Sequence, residues 1–256
     1  MIDGIDFDQL FNNICRKVKH APEYNPRGQK TKELVNANLV LYNPEAAILS
    51  NQTRKMSKKY IGAEILWYLE GNKSIENIKD YAKMWENIAD PNGEVNSCYG
   101  WQIWNQDTPC GTNQWVYVIN TLANDMYSRQ AVININQPIH KYVTKDVPCT
   151  ISIQYLIRDN KLDCIVTMRS CDIIFGLGND VPFFTFVQLM LLEKMKKIYK
   201  DLELGTYYHN AGSLHIYERH YEMLDKILED KNVYWSENWT KNVSKNIKQC
   251  ETWKNG

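Results

Sequence analysis

Residues 150–168 read TISIQYLIRDNKLDCIVTM, and this stretch decides the fold class. Thr150–Ile157 and Leu162–Met168 are rich in β-branched residues, and polar Arg158-Asp159-Asn160-Lys161 lies between them, which predicts two strands joined as a hairpin. Upstream, Gln130–Asn136 (QAVININ) has the composition of a further strand, and Leu34–Tyr42 alternates like another. Helical period governs other parts of the chain. Phe7, Leu10, Phe11, Ile14 and Val18 recur on one face of residues 6–20, residues 58–70 and Ile75–Ala89 follow the same period, and Phe184–Leu202 is the longest helical candidate. His215–Leu228 reads as a helix or as a strand running into one. Asp90-Pro91-Asn92-Gly93 is a turn, and YNPRGQKT (Tyr24–Thr31) is an exposed loop around a lone Arg27. Strands and helices without strict alternation predict an α+β fold with a mixed sheet covered by helices on one face. A homodimer would bury the other face.

No Gly-, Pro- or Ser-rich linker interrupts the chain, so residues 1–256 are expected to form a single domain with a substantial core. Thirty basic side chains balance thirty acidic ones, which removes the overall positive field expected of a nucleic-acid binder. The opening MIDGIDFDQLFNNICRKVKH lacks the basic head and apolar run of a secretion signal, and no segment reaches the roughly 18 apolar residues of a membrane helix. A cytoplasmic location and no membrane partner are expected. The seven cysteines are odd in number and contain no C-x-x-C pair, which disfavours a disulfide framework and a metal site. Free thiols are expected, and any one of them is a candidate nucleophile.

Pro148-Cys149-Thr150 lies where a loop enters an apolar strand, a place that suits inert packing as readily as catalysis. A nearby cation would favour the reactive thiolate, and Arg169 at the end of the partner strand is placed to supply one. Around these residues the chain resembles the thymidylate synthase family. The resemblance is carried by Gly62-Ala63-Glu64-Ile65-Leu66-Trp67-Tyr68-Leu69, Met84-Trp85-Glu86-Asn87-Ile88-Ala89-Asp90, Tyr99-Gly100-Trp101-Gln102, Pro148-Cys149 with Gln154, Arg169-Ser170-Cys171-Asp172 with Gly176-Leu177, and Gly212-Ser213-Leu214-His215-Ile216-Tyr217, in that family's order and spacing. Coverage runs from about Arg27 to about His220. Asn96–Trp101, Ile153–Asp159 and Gly212–His215 look closer to the deoxycytidylate hydroxymethylase branch, known from phages that modify their cytosine.

The resemblance implies a two-layer fold whose twisted sheet packs back to back in a homodimer, and a chemistry. Cys149 matches the nucleophile that adds to carbon 6 of the pyrimidine; Glu64 matches the helix-borne carboxylate that moves protons, and Tyr99 a group that assists proton removal from carbon 5. Arg27, Arg169 and Ser170 match phosphate-binding positions, and Arg129 an arginine given by the partner subunit, although Gln130 stands where a second arginine usually follows. His215 and Tyr217 match the residues that hold the sugar hydroxyl, Asp172 the acid that meets the pterin, and Trp85 the aromatic wall for the folate ring. The implied co-substrate is 5,10-methylenetetrahydrofolate, with no metal.

Asp180 stands eleven residues after Arg169, where thymidylate synthases carry the Asn that reads uracil. Cytosine reverses a donor and an acceptor relative to uracil, and a carboxylic acid that donates to ring nitrogen 3 and accepts from the exocyclic amine matches it. Read locally, Asp180 is a turn residue after Gly178-Asn179. Thr150 replaces the His that commonly follows the nucleophile, a departure that favours the hydroxymethylase branch, and the chain ends ETWKNG without the apolar tail that folds over folate, whose loss would admit water and favour it over hydride in the last step. The expected reaction is therefore hydroxymethylation of a cytidine-type monophosphate, dCMP or CMP. The alternatives are thymidylate synthase or deoxyuridylate hydroxymethylase acting on dUMP, and a nucleotide-binding relative without catalysis.

Overall fold

The computed structural model describes residues 1–256. Its strands are β1 (Ile2–Gly4), β2 (Glu23–Tyr24), β3 (Thr31–Leu41), β4 (Val132–Asn134), β5 (Thr150–Arg158), β6 (Lys161–Met168), β7 (Cys171–Asp172) and β8 (Glu203–Tyr217). The helices are α1 (Phe7–Lys19), α2 (Lys58–Glu70), α3 (Met84–Ile88), α4 (Gln114–Asn124), α5 (Leu177–Met195), α6 (Tyr221–Glu229) and α7 (Val243–Asn255). One mixed sheet runs β1-β3-β8-β6-β5-β4, with β2 added on β3 and β7 on β8. β8 is its spine, antiparallel to β3 and parallel to β6.

The predicted hairpin is present. Asp159 (φ 48°) and Asn160 (φ 60°) are the two loop residues, in the left-handed conformation that matches the twist of the flanking strands. Alternate residues of β6, Leu162, Cys164, Val166 and Met168, are buried beneath α5, whereas Asp163, Ile165 and Thr167 on the other face are half-buried. That second face also carries Leu156 and Tyr208, and no helix of the chain covers it.

Helix α2 forms where the periodicity predicts. Ser57 caps its start by accepting from the Tyr60 N–H at 3.2 Å, and Gly71 (φ 63°) ends it. Apolar residues surround it because α7 packs along one side and α5 meets another, so Glu64 is carried into a nearly dry environment. At Gly100 a Cβ would lie 1.6 Å from the Tyr68 carbonyl oxygen, so only glycine lets this chain segment approach α2 and stack Tyr99 on Tyr68 with ring centroids 5.3 Å apart.

Two expectations are corrected and one open reading is settled. Helix over Ile75–Ala89 shrinks to α3, because Ile75 N–H donates to the Gly93 carbonyl and Val95 N–H to that of Lys73, tying residues 73–75 to the turn at Asp90–Gly93 in place of a helical ladder. The longest helix begins at Leu177 and ends at Met195, not at Phe184 and Leu202; Pro182 sits near its start, where one missing N–H costs a single bond. Glu203–Leu214, unassigned from the sequence, is the greater part of β8, and His215–Leu228 is a strand running into a helix.

Candidate active site

A cavity of about 350 Å³ opens between α2, the first turn of α5 and the ends of β5, β6 and β8. Every residue given a catalytic or binding role from the sequence except Arg129 lines it. A depression of about 570 Å³ beside α1 and α6 is larger, but it holds none of them.

Glu64 stands on the α2 wall, 6% exposed. The Tyr60 hydroxyl donates to Glu64 Oε1 at 2.6 Å, and the indole N–H of Trp85 donates to the Tyr60 oxygen at 3.1 Å. Burial pushes the Glu64 carboxyl up to about 7, against the opposing hydrogen bonds of Tyr60 and Tyr68. Tyr99 is buried against Tyr68 and Phe184, and burial raises its phenol well above the ordinary range.

Asp180 is not a turn residue. It lies in the first turn of α5, its N–H donating to the Gly176 carbonyl at 3.0 Å. A helix N-terminus favours a carboxylate, yet burial, with the nearby charges of Glu64 and Asp172, holds the Asp180 carboxyl well above the usual carboxylate range. Desolvation and like charge outweigh the dipole here.

Cys149 enters from the start of the hairpin, partly exposed. Burial raises its thiol, and Asp180 and Asp146 raise it further, while Arg169 and Arg27 act to lower it. The Arg169 guanidinium donates to the Val147 carbonyl at 2.7 Å and the Pro148 carbonyl at 3.2 Å, so it clamps the loop that presents Cys149 and keeps further N–H groups for an anion. Arg27 sits in a single turn at Pro26–Gly28 with φ 53°, a conformation uncommon for a residue with a side chain. His215 is 7% exposed, pairs with the Ser213 hydroxyl at 3.2 Å and meets Tyr217 edge to face. Asp172, at the end of β7, accepts from the Ile174 N–H at 2.8 Å. Ser170 completes the wall next to Arg169. Arg129 lies outside, exposed at the edge of β5, its carbonyl accepting from Gln154 at 2.9 Å.

Several lining residues escaped the sequence reading. Tyr60 and Tyr68 share a helix face with Glu64 at four-residue spacing, a signal that was present. Arg219, stacked 4.1 Å from the Tyr217 ring centroid, adds a cation to the mouth. Ser97 and Asp146 also face the cavity, and no local pattern announces them.

A second cavity of about 480 Å³ shares Tyr60, Met84, Phe175, Asn179 and Arg219 with the first and extends to Arg54 and Lys55. Apolar and aromatic walls beside the thiol and cations at the far end suit a flat ring system with an anionic tail, so the residues present fit a folate.

Comparison with known proteins agrees with this geometry. The family profile described as Thymidylate synthase matches residues 6–254. The deoxycytidylate 5-hydroxymethyltransferases of Enterobacteria phages T4 and T2 are each 31% identical to the chain over 206 residues, covering 77% of it and 80% of the relative. That of phage T6 aligns over the same extent.

Proposed function

Because the chain belongs to the thymidylate synthase family, the one-carbon transferases that act at carbon 5 of a pyrimidine nucleotide, we propose that its own reaction is hydroxymethylation of a cytidine-type monophosphate. The carrying observation is Asp180, a carboxyl whose hold on its proton is strengthened by burial and by Glu64 and Asp172, on the wall of the cavity that holds Cys149. A protonated acid donates to ring nitrogen 3 and accepts from the exocyclic amine, and the donated proton offsets the charge that builds when a thiolate adds at carbon 6. The phage relatives named as acting on deoxycytidylate support the same base.

Each residue then has a task. Cys149 adds to carbon 6, its thiolate favoured by Arg169 and Arg27 against the cost of burial. Glu64, titrating at about 7, both accepts and returns protons at neutral pH, and Tyr99 assists removal of the carbon 5 proton. Arg27, Arg169, Ser170 and Arg219 at the mouth hold the phosphate, and His215 and Tyr217 the sugar hydroxyl. Trp85 and Asp172 orient the co-substrate, 5,10-methylenetetrahydrofolate, which supplies the one-carbon unit when bound. Two chains pair through the uncovered sheet face, and Arg129, outside its own cavity, reaches that of the partner.

Incubation with the folate donor and, separately, dCMP, CMP, dUMP and UMP, followed by mass spectrometry of the nucleotide, tests the reading. A hydroxymethyl product from dCMP or CMP is expected. Methyl transfer to dUMP alone would replace it with thymidylate synthesis.

A further inference from the structure

Asp146 is a buried acid whose position the tasks above leave unexplained. It lies three residues before Cys149 and is 5% exposed. The Ser97 hydroxyl donates to its Oδ1 at 2.5 Å and the Ser97 N–H to its Oδ2 at 2.6 Å. Its own N–H donates to the Thr144 hydroxyl at 3.1 Å, and its carbonyl accepts from Asn96 at 2.9 Å. The same loop is anchored on Asp90, which accepts from Tyr142 at 2.8 Å and from Thr144 at 2.9 Å. The carboxyl is thus held before any ligand arrives, and each of its oxygens keeps a lone pair beyond those used by Ser97.

Asp146 and Ser97 face the cavity shared by Cys149, Tyr99 and Glu64. A negative charge there opposes ionisation of both Cys149 and Tyr99, so the acid hinders the first step. An amide of the same shape would satisfy Ser97 without that hindrance. Glu64 occupies the α2 wall, held by Tyr60, whereas Asp146 stands on the wall that carries the thiol.

We propose that Asp146 accepts the proton of the water that completes the reaction. The inference rests on the hydroxymethylation reading. Water oxygen bonds to the one-carbon unit on carbon 5 while one O–H bond breaks and its proton passes to Asp146. The electron pair of the exocyclic double bond moves into the ring and then expels Cys149 sulfur from carbon 6, restoring the double bond between carbons 5 and 6. Protonation of Asp146 removes the charge that opposes the departing thiolate, so the group that hinders the first step assists the last.

The test uses Asp146→Asn with enzyme in excess over dCMP and the folate donor. Release of the carbon 5 proton, followed from tritiated nucleotide, should stay close to the wild-type rate, while hydroxymethyl product falls by about 10²- to 10⁴-fold, the range of a lost proton acceptor. Added 2-mercaptoethanol should capture the stalled one-carbon unit as a thioether. Alkylation of Cys149 by iodoacetamide should shift to lower pH, since a neighbouring negative charge is gone. Ser97→Ala, which removes the hydroxyl bond to Oδ1 but keeps the backbone N–H bond to Oδ2 and the acid itself, should show the same split in weaker form and decides the matter if Asp146→Asn fails to bind dCMP. Unchanged product formation, or equal loss of proton release and product, overturns the assignment while leaving the reaction intact. A wild-type enzyme that makes methyl in place of hydroxymethyl overturns the functional reading, and this inference with it.

Discussion

Tyr60 and Glu64 are joined across one turn of α2 by a 2.6 Å hydrogen bond in which the phenol donates to the carboxylate. Burial alone would push Glu64 above about 7, and the Tyr60 hydroxyl restrains it. Tyr60→Phe removes a donor to an ionised group, a contact with a net value of about 1.5 to 3 kcal/mol, so the acidic limb of the pH–rate profile should move up by about one to two units. Trp85→Phe, which removes only the donor behind Tyr60, should move it less. A profile that stays in place in Tyr60→Phe excludes Glu64 as the group that titrates in turnover.

Asp180→Asn exchanges an acid whose hold on its proton burial strengthens for an amide that matches uracil. On cytidylates one buried pairing is lost, at about 1 to 3 kcal/mol, together with the proton donor to nitrogen 3. Activity on dCMP should fall by more than about tenfold, and the ratio of dCMP to dUMP use should fall with it. Steady-state kinetics on both nucleotides check this. An unchanged ratio means that Asp180 does not read the base.

Two cysteines line the cavity, Cys149 and Cys171, the second only 2% exposed. Cys149→Ser should retain dCMP binding and lose at least about 10³-fold in turnover, because an alcohol is scarcely ionised near neutral pH. Cys171→Ser should keep most activity. A dead Cys171→Ser beside an active Cys149→Ser would reverse the assignment.

His209 is wholly buried in β8, its Nδ1 paired with the Tyr207 hydroxyl at 2.9 Å and its Nε2 without a partner. Burial lowers its pKa to about 4. The unfolded chain binds this proton near pH 6.5 and the folded chain only near 4, so the contribution of His209 is full above pH 6.5 and is lost as pH falls to about 4, by about 3 kcal/mol. Glu64 and Asp180, whose pKa values are raised, run the other way in part of this window, so wild type must be compared with His209→Gln. Urea unfolding between pH 7 and 4 should show a difference in stability between the two chains that narrows as pH falls. A pH-independent difference would mean that His209 is not held neutral.

What the sequence determined by itself is local. Helical period located α2 with Glu64 at its middle, β-branched runs around Asp159-Asn160 located the hairpin with Cys149 at its entry, and Pro91-Asn92-Gly93 marked a turn. Family resemblance then picked out residues far apart in the chain, and the fold gathers all of them but Arg129 around one cavity. Tertiary structure decided the rest. Pairing of residues 73–75 with 93–95 dissolved a predicted helix, and packing of α5 over β6 and β8 drew its start back to Leu177, which placed Asp180 on a helix and not in a turn. Packing also supplied Tyr60, Arg219, Ser97 and Asp146 to the site. The physical reason is range: propensity and turn chemistry act over a few residues, whereas the desolvation and neighbouring charge that set the protonation of Glu64, Asp180 and Cys149 exist only once α2, α5 and the ends of the sheet close around them.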